Sequence, residues 1–362
     1  MNSREIARLA GRHFVIGFDG TELSPEVRRA LQDWNLAGAI VFRRNIESPR
    51  QLLALARELQ ADAEGAVRIL AIDQEGGRVA RLSDPFTVYP PVRSLGNLGK
   101  EELARAYGLA TGRELAAVGV NLDFAPVLDI DSNPANPIIG DRSFSRDPAR
   151  VGAYGLAFWQ GLAAARVVGC GKHFPGHGDT SKDSHLELPR VDAPLGRLRE
   201  VELAPFAHAI GGGVDVLMTA HVVYPAVDPA RPASLSPRWL GEILRRELAY
   251  EGVIVSDDLE MKAVSASASI ADASVEALAA GSDLLLVCEE WRAVEEAIGA
   301  IARAVEAGTL DARALEASAA RVARVRARLI GPPKDEVALR RWIGCEGHQR
   351  LAEQMRVGLA LA

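Results

Sequence analysis

Cysteine is scarce in this sequence: the 362 residues include three, Cys170, Cys288 and Cys345, and they lie far apart. An odd number of widely spaced cysteines gives no disulfide framework, and no CxxC pair is present to predict a metal site. Cys170 and Cys288 lie within apolar runs, which is typical of buried thiols rather than catalytic ones.

Long apolar runs and an excess of basic residues are also missing. No apolar run reaches the ~20 residues that a membrane-spanning helix needs. Lys and Arg total 42 against 48 Asp and Glu, a net charge of −6, which argues against a surface for nucleic acid or anionic membranes. The first residues lead into no apolar stretch with a small-residue cleavage site, so we predict no signal peptide and expect a cytoplasmic protein.

The sequence does contain a regular series of short apolar runs. Eight of them, rich in Val, Ile and Leu and without strict alternation, lie at 13–18, 37–42, 67–73, 120–129, 167–173, 214–221, 252–257 and 283–288. Runs of this kind are typical of strands that are buried on both faces of a parallel sheet.

Amphipathic stretches separate these runs. Ser24-Pro25, Ser48-Pro49 and Ser236-Pro237 each predict a helix start, and residues 48–51 also fit a capping box. Further helices are predicted at about 100–117, 146–165, 196–211, 268–280 and 290–307. Eight strands alternating with eight helices predict an α/β fold, a single (β/α)8 TIM-type barrel. A doubly wound sheet is the alternative, but no GxGxxG follows the first strand.

Only helical patterns follow Gly308. Residues 312–329 form an Arg-rich amphipathic stretch, 331–333 (GPP) end it, and a last helix is predicted from about Asp335 to the end. About 50 residues are few for an independent core. We therefore predict a catalytic barrel at 1–310 and a C-terminal helical extension at 311–362 that packs on the outside of the barrel.

Polar residues end most of the predicted strands. The strand ends include 73–78, 123–129, 172–178, His221 and 256–258. A single Asp after a strand commonly caps the next helix. In a barrel, however, the C-terminal ends of all strands form the active site. Five polar ends on one rim are what a polar substrate with many hydroxyl groups requires.

Residues 172–185 contain three histidines and an aspartate: His173, His177, Asp183 and His185. A metal site is one interpretation, but Pro175 and its neighbouring glycines prevent the helix that would align His173 with His177. In the second interpretation, Asp183 and His185 share one face of an extended chain, and the carboxylate supports the protonated imidazole. Such a pair suits a general acid that later acts as a base. A solvated loop that carries both residues by chance is the third interpretation.

Five motifs together resemble one family. They are residues 73–79 (DQEGGRV) with Arg81, 140–144 (GDRSF), 172–178 (KHFPGHG), 183–185 (DSH) and 256–261 (SDDLEM). In this order, from about residue 13 to about residue 290, the chain resembles the β-N-acetylglucosaminidases of glycoside hydrolase family 3. The resemblance implies a bacterial, cytoplasmic barrel enzyme that removes terminal N-acetylglucosamine from recycled cell-wall muropeptides, with no cofactor and no metal.

The resemblance also implies roles for single residues. Asp257 matches the catalytic nucleophile, His185 the general acid/base and Asp183 its partner. The residues that match those holding the sugar are Asp73, Arg81, Arg142, Lys172 and His173. An imidazole then replaces one of the two carboxylates that glycosidases usually employ.

Glu75 and Glu187 are the carboxylates that would take the acid role if the Asp183–His185 interpretation is wrong. We expect a retaining exo-β-N-acetylglucosaminidase that acts on N-acetylglucosaminyl–anhydromuramyl peptides in peptidoglycan recycling. A monomer or a weak homo-oligomer is expected, with a small carbohydrate substrate and neither nucleic acid nor membrane as partner.

Three alternatives remain. A β-glucosidase or another family 3 glycosidase is one, although the large second α/β domain of related β-glucosidases has no room here. A metal-dependent barrel hydrolase would use His173, His177 and Asp183. A catalytically silent sugar-binding protein would need neither Asp257 nor His185.

Overall fold

The computed structural model describes residues 2–61, 66–181 and 188–361. The strands are β1 (Phe14–Ile16), β2 (Gly38–Val41), β3 (Ile69–Ile72), β4 (Leu122–Asp123), β5 (Val168–Gly169), β6 (Gly171–Phe174), β7 (Val216–Thr219), β8 (Val223–Tyr224), β9 (Asp228–Pro232), β10 (Val253–Asp258) and β11 (Leu284–Val287). The α-helices are α1 (Ser3–Gly11), α2 (Pro25–Asp33), α3 (Pro49–Ala61), α4 (Arg93–Leu98), α5 (Glu101–Ala117), α6 (Pro148–Ala164), α7 (Leu195–Glu200), α8 (Ala204–Gly211), α9 (Lys262–Ser265), α10 (Ile270–Ala280), α11 (Ala293–Glu306), α12 (Ala312–Arg326), α13 (Val337–Trp342) and α14 (Glu346–Val357). A π-type helix covers Arg238–Glu247, and short 3-10 turns lie at Arg43–Asn45, Gly140–Arg142, Ala233–Leu235 and Gly358–Leu361.

The parallel strands follow one another around a barrel. Their order is β5-β4-β3-β2-β1-β11-β10-β7-β6, and β8 and β9 form a separate antiparallel hairpin. β5 and β6 are two parts of one barrel strand, interrupted at Cys170, whose N–H donates to the carbonyls of Asp123 and Ala125 (both 2.9 Å). With this strand joining β4 to β7, the predicted TIM-type barrel is confirmed and the doubly wound alternative is wrong.

Both faces of the strands are buried, which explains the continuous apolar runs. Successive side chains of a strand point to opposite faces. In β1, Val15 belongs to the cluster inside the barrel, while Phe14 and Ile16 pack in the cluster formed with the surrounding helices. All three residues are at most 1% exposed.

The helices differ from the predicted ones in three respects, although the predicted serine caps are present. Ser24 Oγ accepts from the N–H of Val27 (3.2 Å), and Ser48 Oγ accepts from the N–H of Gln51 (3.2 Å). The Gln51 side chain, however, accepts from the N–H of Glu47 (2.9 Å), so the predicted capping box is only half formed. The helix after Ser236 is π-type, and the predicted helix at 196–211 is divided into α7 and α8.

The single helix predicted from Asp335 to the end is wrong. The chain forms α13 and α14, separated at Gly344, which has a positive φ of 57°. A Cβ on Gly344 would lie 2.3 Å from the carbonyl oxygen of Pro85, so this turn packs directly against the barrel loops. The break therefore depends on a tertiary contact that the helical pattern does not contain.

The segment after residue 310 contributes to the core of the barrel. Val322, Val325 and Leu329 belong to the same buried cluster as the side chains inside the barrel. The division into 1–310 and 311–362 remains a prediction.

Among the described residues, no helix combines the length and the hydropathy needed to cross a membrane.

Candidate active site

A cavity of about 350 Å³ lies at the C-terminal ends of the barrel strands. Strand ends and the loops after them supply its walls, including the apolar side chains of Phe42 and Met261. The charged and imidazole side chains that line it include Asp73, Glu75, Arg81, Arg142, Lys172, His173, His177, Asp257 and Asp258. Six residues that the sequence predicted for the site, all but Asp183 and His185, are thus brought together.

A network of ion pairs occupies one side of this cavity. Lys172 Nζ lies 2.7 Å from both Asp73 Oδ1 and Glu75 Oε1. Arg142 binds both carboxylate oxygens of Glu75 at 2.8 Å, and Arg81 Nη2 lies 3.2 Å from Asp73 Oδ2. Three cations therefore hold two carboxylates in fixed orientations, an arrangement that suits hydrogen bonding to a polyol.

The cations decide the ionisation of this network. Burial alone raises the pKa of Glu75, but Arg142 and Lys172 outweigh it and hold that pKa far below its usual value. In the same way, Lys172 and Arg81 hold the pKa of the buried Asp73 below its usual value. Glu75 is therefore ionised at neutral pH and has no proton to donate, which argues against it as the general acid. Glu187, the other candidate, lies outside the described residues.

Local backbone geometry places Glu75. The N–H groups of Glu75 and Gly76 donate to the carbonyl of Val79 (3.0 and 3.2 Å), which closes a tight turn. Gly76 has a φ of 95°, and a Cβ there would lie 2.5 Å from the Tyr107 hydroxyl. That hydroxyl donates to the carbonyl of Glu75 (2.8 Å). The glycine after Glu75 is therefore required for the close approach of α5.

Asp129 binds two histidines, His173 in β6 and His177 in the loop after it. It accepts from His173 Nδ1 (2.7 Å) and from the backbone N–H of His177 (2.7 Å). With Nδ1 engaged, Nε2 is the ring nitrogen of His173 left for a ligand. The sequence patterns assigned Asp129 no role, although it ends the apolar run at 120–129. Its signal is a carboxylate at the end of a buried strand.

His177 is neutral at physiological pH. Burial, with a contribution from His173, lowers its pKa to about 4. Its Nδ1 lies 2.8 Å from Thr180 Oγ1. Within the described part of the chain, no group of three His, Cys, Asp or Glu side chains fits a metal. This does not test the alternative metal set of His173, His177 and Asp183. Asp183, its third member, lies outside that part.

Asp257 and Asp258 end strand β10 and differ in environment. Asp257 Oδ1 accepts from the backbone N–H of Asp258 (2.9 Å). Burial raises the pKa of Asp258 to about 7, with Glu260 and Asp257 adding repulsion. The backbone of Asp258 is fixed by His221, whose Nε2 lies 2.9 Å from its carbonyl oxygen. Both carboxyl groups line the cavity, and burial lets Asp258 gain a proton easily.

The remaining catalytic candidates, Asp183 and His185, lie outside the described residues. The predicted acid/base roles for this pair remain predictions. The described ends of the loop are the segment up to Ser181 and the segment from Leu188 onward.

Comparison with known proteins identifies relatives of this chain. Residues 5–325 match the model of the glycosyl hydrolase family 3 N terminal domain. A β-hexosaminidase from Pseudomonas aeruginosa is 43% identical over 293 residues, covering 80% of this chain and 86% of that protein. A family 3 β-N-acetylglucosaminidase from a Paenibacillus species superposes with a TM-score of 0.90 at 37% identity, covering 97% of this chain and 68% of that chain. NagZ from Neisseria gonorrhoeae, in complex with N-trifluoroacetyl-D-glucosamine, gives a TM-score of 0.78 at 33% identity, covering 96% and 97%.

The barrel, its cavity and these relatives define a glycoside hydrolase. The chain belongs to glycosyl hydrolase family 3. Within that family it is an enzyme of the β-N-acetylhexosaminidase type, which confirms the resemblance seen in the motifs.

Proposed function

We propose that the protein is a retaining exo-β-N-acetylglucosaminidase that releases terminal N-acetylglucosamine from N-acetylglucosaminyl–anhydromuramyl peptides during peptidoglycan recycling. The observation that carries this proposal is that Asp257 lines the same cavity as the ion-pair network of Asp73, Lys172, Glu75 and Arg142. It combines an accessible carboxylate with fixed polar groups for a sugar.

The size of the cavity and the ligand of one relative support binding of a single terminal sugar. A cavity of about 350 Å³ is at the small end of the ~300–1,000 Å³ range of ligand pockets. The Neisseria relative was solved with N-trifluoroacetyl-D-glucosamine, an N-acyl glucosamine. In this proposal Asp73, Arg81, Arg142, Lys172 and His173 hold the sugar hydroxyl groups.

The proposed reaction has two steps. The Asp257 carboxylate attacks the anomeric carbon and the bond to the leaving oxygen breaks, while His185, oriented by Asp183, donates a proton to that oxygen. Neutral His185 then takes a proton from water, which attacks the same carbon. The glycosyl–Asp257 ester bond breaks, free sugar leaves with retained configuration, and His185 is protonated again.

Location and assembly complete the proposal. We place the enzyme in the cytoplasm, where recycled muropeptides are processed, as a monomer or a weak homo-oligomer. Residues 311–362 are proposed as a C-terminal extension of the catalytic barrel. Neither a metal nor a cofactor takes part in the proposed reaction.

A side-by-side turnover assay tests the activity. The enzyme should cleave an aryl N-acetyl-β-glucosaminide much faster than the matching aryl β-glucoside, with equal rates in the presence and absence of a chelator. It should also release N-acetylglucosamine from the natural disaccharide peptide. Asp257→Asn, which keeps the size of the side chain, is the control for background cleavage.

Three results would contradict the proposal. Faster cleavage of the β-glucoside would favour a family 3 β-glucosidase. Loss of activity in the chelator would favour a metal-dependent hydrolase. Binding of N-acetylglucosamine without turnover would favour a silent sugar-binding protein.

A further inference from the structure

Glu114 is a buried carboxylate with no part in the proposed reaction. It is 3% exposed and lies on α5, outside the active-site cavity. Its Oε1 accepts from Thr87 Oγ1 (2.6 Å), His348 Nδ1 (2.9 Å) and the N–H of Gly344 (3.2 Å). Its Oε2 accepts from the N–H of Thr87 (3.0 Å). Four donors fix the orientation of this buried carboxyl group, because each lost donor leaves one of its buried oxygens short of a hydrogen-bond partner.

Helix α5 contacts the loop after β3 at two points on one face. Tyr107 and Glu114 are seven residues apart, about two helical turns, so they lie on the same side of α5. Tyr107 donates to the carbonyl of Glu75 (2.8 Å), and Glu114 accepts both donors of Thr87. Between these points, the N–H of Gly77 donates to the carbonyl of Tyr89 (3.0 Å). The loop that carries the ion-pair network is thus fixed at its start and at its end.

The C-terminal clamp, residues 337–361, covers the outer end of this loop. Gly344 packs on the carbonyl of Pro85, and Arg356 Nη2 donates to the carbonyl of Val88 (3.0 Å). Asn97 Nδ2 donates to the carbonyl of Gly358 (3.0 Å). Together with the contact of His348 with Glu114, these contacts hold residues 85–97 against the clamp and α5.

The clamp is itself firmly seated. Ala352 and Met355 of α14 are fully buried in the main hydrophobic cluster. The Trp342 ring stacks on the His348 ring with centroids 6.0 Å apart, and the Arg113 guanidinium of α5 lies 4.3 Å from the Trp342 centroid. Because the clamp is anchored to the barrel independently of the loop, it is able to restrain the loop.

We infer that Glu114, Thr87 and His348 are positioning residues of the active site, through which the C-terminal clamp sets the position of Asp73 and Glu75. None of the three touches the cavity. They act through the loop at 73–89, whose other end carries the carboxylates proposed to hold the sugar. This inference therefore rests on the proposed sugar-binding function of that site.

Hydroxyl variants of Thr87 test the inference with little change in shape. Thr87→Val keeps the volume and removes the Oγ1 donor to Glu114, while Thr87→Ser keeps the hydroxyl. His348→Ala removes the donor from the clamp. The matched control is Ser318→Ala, because Ser318 Oγ also donates to a buried carboxylate, Asp283 (2.7 Å), before the start of β11 and away from the cavity.

The measurements are calorimetric affinity for N-acetylglucosamine and steady-state kinetics with the aryl N-acetyl-β-glucosaminide, well below the melting temperature of each variant. Thr87→Val and His348→Ala should raise KM and the sugar Kd by about 10-fold, less than the roughly 100-fold that a 1 Å misplacement can cost. The kcat should stay within about twofold, because the lost interaction is made in the ground state as well. Thr87→Ser and Ser318→Ala should keep the wild-type Kd.

The outcomes separate this inference from the proposed function. If wild-type protein neither binds the sugar nor cleaves the aryl glycoside, the proposed function is wrong. If wild type binds but Thr87→Val and His348→Ala keep its Kd, the inference is wrong. An equal rise of Kd in Ser318→Ala would also overturn it, since the effect would then follow general destabilisation.

Discussion

Lys172 is the cation that two carboxylates of the cavity share, so its removal tests the charge balance of the site. Its side chain is 3% exposed, and its Nζ lies 2.7 Å from both Asp73 and Glu75. Lys172→Met keeps most of the aliphatic stem and leaves two buried carboxylates without this partner. Breaking a buried ion pair in this way costs about 3–5 kcal/mol, and we expect the upper half of that range because two pairs are lost. The total stability of a domain is roughly 5–15 kcal/mol, so the variant should still fold.

The loss of folding stability in Lys172→Met should depend on pH, and the direction of this dependence follows from the pKa shifts. In the wild type the cations lower the pKa values of Asp73 and Glu75. The stability that these carboxylates contribute is therefore present at neutral pH and is lost as the pH falls through their lowered pKa values. Without Lys172, burial raises the pKa of Asp73 relative to the wild type, and the variant takes up a proton at higher pH. The deficit of the variant should thus shrink between pH 8 and pH 5.

Urea unfolding of both proteins at pH 5, 6.5 and 8 measures this deficit. The control is Arg81→Met, because among the described residues Arg81 is ion-paired with one carboxylate, Asp73 at 3.2 Å, and its side chain is 28% exposed. We expect it to cost only about 1 kcal/mol or less. A deficit for Lys172→Met below about 1 kcal/mol near pH 8, or one that does not change with pH, would refute the reasoning.

Three further predictions concern the reacting groups and Asp258, the neighbour of the proposed nucleophile. A slow 2-fluoro or 5-fluoro sugar should leave a mass increment on the peptide that contains Asp257, and a label on Asp258 instead would contradict the assignment of the nucleophile. His185→Ala should keep most of the burst rate on a dinitrophenyl glycoside, whose leaving group needs no proton, and should lose about 10²–10⁴-fold of the rate on the natural disaccharide. Asp183→Ala should show the same difference between the two substrates, but a smaller one. Equal slowing of both substrates by His185→Ala would make His185 a positioning residue. Asp258 has its pKa raised from 3.8 to about 7, so its stability contribution is present at low pH and is lost as the pH rises through 7. Asp258→Asn should therefore gain stability relative to wild type between pH 4 and pH 8, and a difference in melting temperature that is constant over this range would contradict the burial of the charge.

The barrel could be predicted from sequence because its signals are local. Each of the eight apolar runs contains a strand, since burial on both faces demands continuous apolar residues whatever the neighbours are. The interruption at Cys170 within the run at 167–173 could not be predicted, because it depends on two carbonyls far away in the chain, those of Asp123 in β4 and of Ala125 just after it. The split of the last helix likewise depends on Pro85, far away in the chain.

The candidate site was predictable in its members and not in its pairings. Strand ends identify Asp73, Lys172 and His173 as rim residues, but Lys172 lies 99 residues from Asp73. Only closure of the barrel decides that this lysine meets that carboxylate. The orienting contact between His173 and Asp129 spans 44 residues and is equally invisible in a linear motif. Motifs therefore identify residues of the site, whereas the fold decides which of them form ion pairs and hydrogen bonds with each other.

The position of β1 between β2 and β11 has a consequence for synthesis on the ribosome. Phe14 pairs in register with Leu285, which is made about 270 residues later. At ~5–20 residues per second, β1 waits roughly 15 to 50 s with one edge unpaired. Unpaired strand edges are templates for association between chains. The yield on expression should therefore depend on chaperone supply and on translation speed as well as on the stability of the finished barrel.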